Sequence, residues 1–320
     1  MWRYKVKPLA KGIVKSLPGI ENILHKRPGS TVKSRYCYAV WMRHLINASE
    51  NGMSEHPPSV VELGPGGTVG VGMAALLSGA EQYTGLDVVN NWENERNLLV
   101  FDELVDMFRN RETIPGKEEF PKMHAPLPSY DFPSHILSDK WLEETLSEER
   151  ISRLRKEIKT CMDKGGEGEM VRYIVPWGRS KIIAPGSVDL IWSQAVLEHV
   201  EDPRNVYESM YKWLREDGII SHEIDFKSHG SSGLWNGQWI YSEFQWKIVK
   251  GRYAYLINRL SYKAHLDLMK DIGFNVIQTV PTSMESKLKR KHLAPRFREM
   301  TDKELSTPTM FFQAKKEKNS

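Results

Sequence analysis

Two groups of residues in this sequence have the types and spacing that chemistry needs. The first is Glu62-Leu63-Gly64-Pro65-Gly66-Gly67-Thr68, followed by Asp87 at the end of the second candidate strand. Glycine lets a backbone turn sharply and lets a ligand approach with no Cβ in the way. A carboxylate in the position of Asp87 can accept hydrogen bonds from ribose hydroxyls, so the pair points to an adenosine-containing ligand. The second group is built on histidine: His199, then His222 and His229 within Ser221-His222-Glu223-Ile224-Asp225-Phe226-Lys227-Ser228-His229. A histidine of near-neutral pKa oriented by a carboxylate is a workable general base. The same His222, Asp225 and His229 could instead ligate a divalent metal or bond structurally, and His199 could serve packing and orientation. We expect base or substrate contact and no resident metal.

Both groups need elements to hold them. Residues 59–63 read as a strand running into the glycines, and Val69 to Leu77 as a helix leaving them. Gln82 to Asp87 is a second strand, which makes a βαβ unit with parallel strands. Apolar spacing predicts helices over 35–48, 94–109 and 261–272. Asp202-Pro203 opens another helix as cap and first-turn proline. Strands are expected at 171–175, 188–192, 219–224, 274–280 and 309–314, with Asp217-Gly218 turning into the third of these. Strands separated by helices imply an α/β fold, a mostly parallel central sheet with helices on both faces. Residues 110–168 interrupt the alternation with a proline-rich loop and a helix near 139–163 ended by Gly165-Gly166. They read as a helical insertion capping the main domain. We divide the chain into an N-terminal arm and helix (1–58), the arm broken by Pro8, Pro18 and Pro28, and one domain (59–320). If the strand holding His222 ends near Glu223, then His222 and Asp225 can converge; in a continuing strand they point to opposite faces.

The chain has 320 residues, 40% hydrophobic and 27% charged, enough to bury a core. A net charge of +4 is too small to argue for nucleic acid, although basic residues gather at both ends. Cys37 and Cys161 form no metal or redox pattern, no apolar run approaches the length of a membrane span, and no signal peptide is read at the N-terminus. The expected setting is cytoplasmic, with a small-molecule partner; nothing in the sequence speaks to oligomeric state.

Two families place an adenosine ligand on such a glycine turn. The nicotinamide-dependent oxidoreductases require G-x-G-x-x-G, and position 69 is valine where the third glycine belongs. The chain resembles instead the class I S-adenosylmethionine-dependent methyltransferases, in particular the broad type 11 group. Glu62, Gly64 and Gly66 match the first motif of that family, with Thr68 where a third glycine is usual. Ser187-Val-Asp-Leu-Ile-Trp-Ser193-Gln-Ala-Val-Leu-Glu198-His199-Val200 resembles its fourth strand and following loop. The resemblance covers about residues 59–280, the insertion excepted.

The resemblance implies a Rossmann-like methyltransferase fold and S-adenosyl-L-methionine as cofactor. It implies that Gly64, Pro65 and Gly66, with Gly67 beside them, pass under the methionine moiety, and that Glu62 helps hold its amino end. Asp87 would bind the ribose, Val88 and Trp177 would meet the adenine, and Ser193, Gln194 and Ala195 would line the cofactor near its sulfonium. In methyl transfer the protein supplies alignment and, for a hydroxyl acceptor, a base. Candidates are His222, Asp225, His229 and His199. The aromatic and amide run Trp235, Asn236, Trp239, Tyr241, Tyr255, Asn258 and Arg259 suits a polar ring such as a sugar, or else a lid packed on the core. Arg35, Tyr36 and Tyr38 could close over the same mouth. The expected reaction is methylation of O or N on a small polar, saccharide-type acceptor. The rival readings are a nicotinamide-dependent oxidoreductase and a non-catalytic cofactor-binding domain.

Overall fold

The strand β1 (Ser59–Leu63) buries Val60 towards one side and Val61 and Leu63 towards the other. A strand with no solvent face belongs inside a sheet covered on both sides. In the computed structural model, which describes residues 2–15, 30–53, 56–177, 183–252 and 255–317, that is where it lies. Pro18 and Pro28 of the arm fall outside the described residues. β1 pairs in parallel with β2 (Gln82–Leu86) and with β4 (Val188–Gln194). β3 (Val171–Ile174) joins β2, and β5 (Leu214–Asp225) joins β4, again in parallel. β6 (Phe274–Pro281) and β7 (Thr309–Lys316) complete a seven-stranded sheet in the order β3-β2-β1-β4-β5-β7-β6. Only β7 runs against its neighbours, β5 and β6.

Helices cover both faces. On one side lie α2 (Ser34–Glu50), α3 (Gly70–Leu77) and α4 (Asn94–Arg109), whose buried residues form one core with Trp192 and Leu190 of the sheet. All eight residues of α3 are buried, because it is enclosed by the sheet, α2 and α4. On the other side α7 (Pro203–Trp213) and α9 (Tyr262–Ile272) pack on Ile191, Ile220 and Phe312. Asp202 caps α7 by accepting from the Asn205 amide at 3.2 Å, with Pro203 in the first turn as the sequence predicts.

Three expectations need correction. Residues 2–15 form a helix, α1, in spite of Pro8. The long helix expected near 139–163 is two, α5 (Asp139–Thr145) and α6 (Glu148–Thr160), because Ser147 leaves helical geometry to cap α6. Asp217-Gly218 does not begin a strand; β5 starts at Leu214 and carries these residues through a register shift against β4. The segment 110–168 contains no strand among the described residues, and its Ile114, Leu137, Leu142, Leu154 and Ile158 join the core beside α3 and α4.

One glycine sets how closely α3 approaches β2. A Cβ on Gly72 would come 2.1 Å from the ring of Tyr83, a buried residue of β2. Gly72→Ala is expected to lower stability by about 1–3 kcal/mol, the usual effect of overpacking. Urea unfolding measures it, and a variant as stable as its parent would show that α3 can shift off the sheet.

Candidate active site

The strand order turns away from β1 in one direction and from β4 in the other. Ligands of open α/β sheets bind in the crevice that such a reversal opens at the C-terminal strand ends. A cavity of about 450 Å³ lies there, lined by Gly64 after β1, Asp87 and Val88 after β2, Trp177 after β3, and Val196 and His199 after β4. That volume suits a small cofactor.

The glycine turn depends on backbone that only glycine adopts freely: φ is +66° at Gly64 and +77° at Gly66. The Gly64 amide donates to the Leu86 carbonyl at 2.8 Å, which ties the turn to β2. A Cβ on Gly64 would come 2.7 Å from Val196, so the turn and the loop after β4 touch. Thr31, from the arm, closes the outer side. Its hydroxyl accepts from the Gly67 amide at 2.9 Å, and its carbonyl accepts from the Thr68 hydroxyl. Gly67 therefore faces the arm, and Pro65 between the two open glycines is buried.

Asp87 ends β2 with one oxygen used and one idle. Oδ1 accepts from the Val88 and Val89 amides at 2.7 and 3.3 Å, while Oδ2 is buried with no hydrogen-bond partner. Burial pushes its carboxyl pKa up. Glu62 lies deeper and accepts from the Tyr83 hydroxyl at 2.7 Å. Burial, reinforced by Asp87 nearby, raises its pKa to about 8 against the Tyr83 hydrogen bond.

The three residues ending β4 divide between faces. Ser193 turns to the α7–α9 side, where its hydroxyl meets Nδ1 of His222 at 2.7 Å. Gln194 turns to the α2 side beside Glu223, its register partner in β5. Ala195 takes a left-handed φ of +54° and donates its amide to the Glu223 carbonyl at 2.8 Å.

The expected convergence of His222 with Asp225 does not occur. β5 runs on to Asp225, because β7 pairs with it as far as Asp225 opposite Thr309. Alternation then sends the two side chains to opposite faces. His222 is fully buried against Phe312 and lines no part of the cavity; burial, with His44 and His265 adding, holds its pKa well below the ordinary value. Asp225 meets His229 instead, at 3.6 Å from Nε2, and Lys227 at 2.7 Å. Burial pushes the Asp225 carboxyl up, but hydrogen bonds from His229 and Lys227 outweigh it and leave a pKa of about 2. The His229 ring stands edge-on to His199 at 5.0 Å. Nδ1 of His199 lies 2.7 Å from the Tyr255 carbonyl, which can only accept, so the proton sits on Nδ1 and Nε2 keeps its lone pair.

Glu223 and His124, to which the sequence assigned no role, stand beside these. Glu223 is buried between Gln194 and the His124 amide, which it binds at 3.1 Å; burial raises its pKa to about 7. Tyr36 and Arg43 of α2 share its surroundings, the former edge-on to Phe120. Tyr38 faces elsewhere, bonding the Glu112 carbonyl, and Arg35 pairs with Glu112 and Glu119 at the surface. The late aromatic run mostly forms a third core. Trp239 and Tyr241 are buried, and the Arg259 guanidinium lies 4.7 Å over Trp246 and 5.0 Å over Phe297. Of that run, Tyr255 lines the cavity.

Residues 145–221 match the family model described as a methyltransferase domain. That segment resembles a methyltransferase domain and lies in a sheet of Rossmann-like strand order. The matched span takes in β3, β4 and the Leu197–His199 turn and leaves the glycine turn outside it. Its structure is similar to that of an S-adenosylmethionine-dependent methyltransferase from Mesorhizobium loti, at 12% identity over 86% of this chain and 98% of that one, with a TM-score of 0.42. It is also similar to phosphoethanolamine N-methyltransferase 2 of Haemonchus contortus in complex with S-adenosyl-L-methionine, at 13% identity over 89% of this chain and 57% of that one, with a TM-score of 0.42. No curated protein sequence matches it.

The buried carboxyls give the protein a pH signature. With pKa values raised to about 8 and about 7, folded Glu62 and Glu223 hold protons that the unfolded chain releases near pH 4.5. Stability is therefore lost as pH rises from about 4.5 to 8. Glu62→Gln and Glu223→Gln should each gain on the parent in thermal midpoint between pH 5 and pH 8. A difference that stays constant over that range would mean both groups ionise normally.

Proposed function

We propose that this methyltransferase carries a methyl group from S-adenosyl-L-methionine to an oxygen or nitrogen of a small polar, saccharide-type acceptor in the cytoplasm. The observation that carries the cofactor site is Asp87: a buried carboxylate with one unpartnered oxygen, at the wall of the cavity opened by Gly64. An unsatisfied acceptor buried in protein is costly, and a ribose diol would supply the missing donors. Val88 and Trp177 offer the adenine apolar walls on the same cavity. Gly64, Pro65 and Gly66 leave room for the methionine moiety. Glu62 would face its ammonium group, whose positive charge offsets the burial that now favours the protonated carboxyl.

S-adenosylmethionine, when bound, supplies an electrophilic methyl group; the chain must place the acceptor and manage its proton. Ser193, Gln194 and Ala195 end the strand nearest the acceptor side, where Glu223, Asp225, His199 and His229 cluster. Nε2 of His199, with its lone pair free, can accept the acceptor's proton. Asp225 orients His229 for the same role. His222 supports the strand from the opposite face and has no part in the reaction. The polar character of these groups favours a hydroxylated or amino acceptor over an apolar one. The two cysteines, free and buried, fit a reducing compartment.

Calorimetry with S-adenosylmethionine and with NADH tests the reading. Binding of the first alone is expected, and Asp87→Asn should weaken it by roughly 10–100-fold, the worth of hydrogen bonds to a charged group. Transfer of a labelled methyl group to sugars, sugar nucleotides and amines then identifies the acceptor class. Binding of NADH in preference to S-adenosylmethionine would sink the assignment.

A further inference from the structure

Glu198 carries a carboxylate into the interior without a partner. The residue is 2% exposed, and neither side-chain oxygen makes a hydrogen bond. The backbone amides of Glu198 and Asp225 lie near it, but without normal hydrogen-bond geometry. An unpaired buried carboxylate is strongly unfavourable, so a chain that keeps one needs something to pair it. Two imidazoles face it. Nε2 of His199 is 4.0 Å from Oε1, and one donor atom from each of Glu198, His199 and His229 lie within 4.8 Å of one another.

The histidines are held as ligands usually are. The Nδ1 proton of His199 is fixed by the Tyr255 carbonyl, the arrangement that orients a ring and frees its other nitrogen. His229 sits at φ +46°, a left-handed conformation that non-glycine residues rarely adopt, and such strain gathers at functional sites. Asp225, at 3.6 Å, steadies its ring. Asn258 pins the turn that presents Glu198 and His199, donating from its side chain to the carbonyls of Leu197 and Val200 at 2.8 and 3.0 Å.

We propose that Glu198, His199 and His229 bind one divalent transition-metal ion at the wall of the cofactor cavity. Two imidazoles and a carboxylate suit Mn²⁺, Fe²⁺, Co²⁺ or Zn²⁺ better than Mg²⁺ or Ca²⁺, which prefer all-oxygen sites. An ion about 2.1 Å from each donor needs the donors roughly 3.4 Å apart, so rotations of about an ångström complete the set. His199 lines the cavity, so the open coordination positions face the acceptor. With the ion bound, His199 and His229 act as ligands and no longer as bases: the ion would bind an acceptor oxygen and lower the pKa of its hydroxyl, whose proton passes to water. This use of the site rests on the acceptor reading above; its existence does not.

The test is a titration of the full chain, free of any affinity tag and stripped by chelation, with CoCl₂, followed by visible absorption and calorimetry. One Co²⁺ per chain is expected, with a ligand-field band and a raised thermal midpoint. Glu198→Gln and His229→Ala should lose the band and bind Co²⁺ at least tenfold more weakly. Both should still bind S-adenosylmethionine within about twofold of the parent, which shows that they are folded. No Co²⁺ bound by the parent, or equal binding by both variants, overturns the metal site. S-adenosylmethionine binding retained in that case leaves the methyltransferase assignment standing, whereas its loss in the parent sinks that assignment whatever cobalt does. Should a variant fail to fold, the parent titration decides.

Discussion

Two carboxylates, Glu62 and Asp87, stand in the interior at the ends of adjacent parallel strands, and much of the neighbouring structure exists to keep them there. Water cannot solvate either one fully, so the chain must bring its own donors. For Asp87 these are the amides of the two residues that follow it. For Glu62 the donor is the hydroxyl of Tyr83, which arrives from β2 and must itself be accommodated. The helix above gives up a side chain at Gly72 to make that room. A buried carboxyl at the sheet edge thus dictates a phenol on one element and a missing methyl on another.

The half of the site proposed for the cofactor was legible in the sequence as structure because it is local. Strand, glycines, helix and second strand follow one another between residues 59 and 87, and a βαβ unit of that order has parallel strands. The half proposed for the acceptor was less legible because it is assembled from distant segments. Glu223 meets Gln194 through strand pairing and His124 through a loop of the insertion, and no spacing along the chain encodes either contact. His222 was misplaced for the same reason. Whether β5 ends at Glu223 or Asp225 is decided by β7, some eighty residues on, and one step of alternation moves a side chain across the sheet. Composition alone left the tryptophans open: an indole suits a sugar face and a protein core equally, and Trp239 settled in the core with its N–H on the Arg259 carbonyl.

The arm and the insertion bring the two halves together. Thr31 meets the glycine turn from outside, and residues near His124 reach the end of β5 from the opposite flank. Neither segment belongs to the alternating α/β pattern, yet both bond to backbone or carboxylate groups at the sheet edge. No helix of the described residues is long and apolar enough to cross a membrane. The α/β alternation supplies the platform, and the irregular segments brace its edge from outside.

The position of β7 between β5 and β6 has a consequence for how the chain matures during synthesis. β6 touches the sheet through β7 alone. As the polypeptide leaves the ribosome, β6 emerges some thirty residues before its only neighbour, and β5 meanwhile presents an open edge. The five parallel strands can assemble while translation continues, but the last two must wait and then dock together. Until they do, the nascent chain carries an exposed β-edge of the kind that chaperones shield.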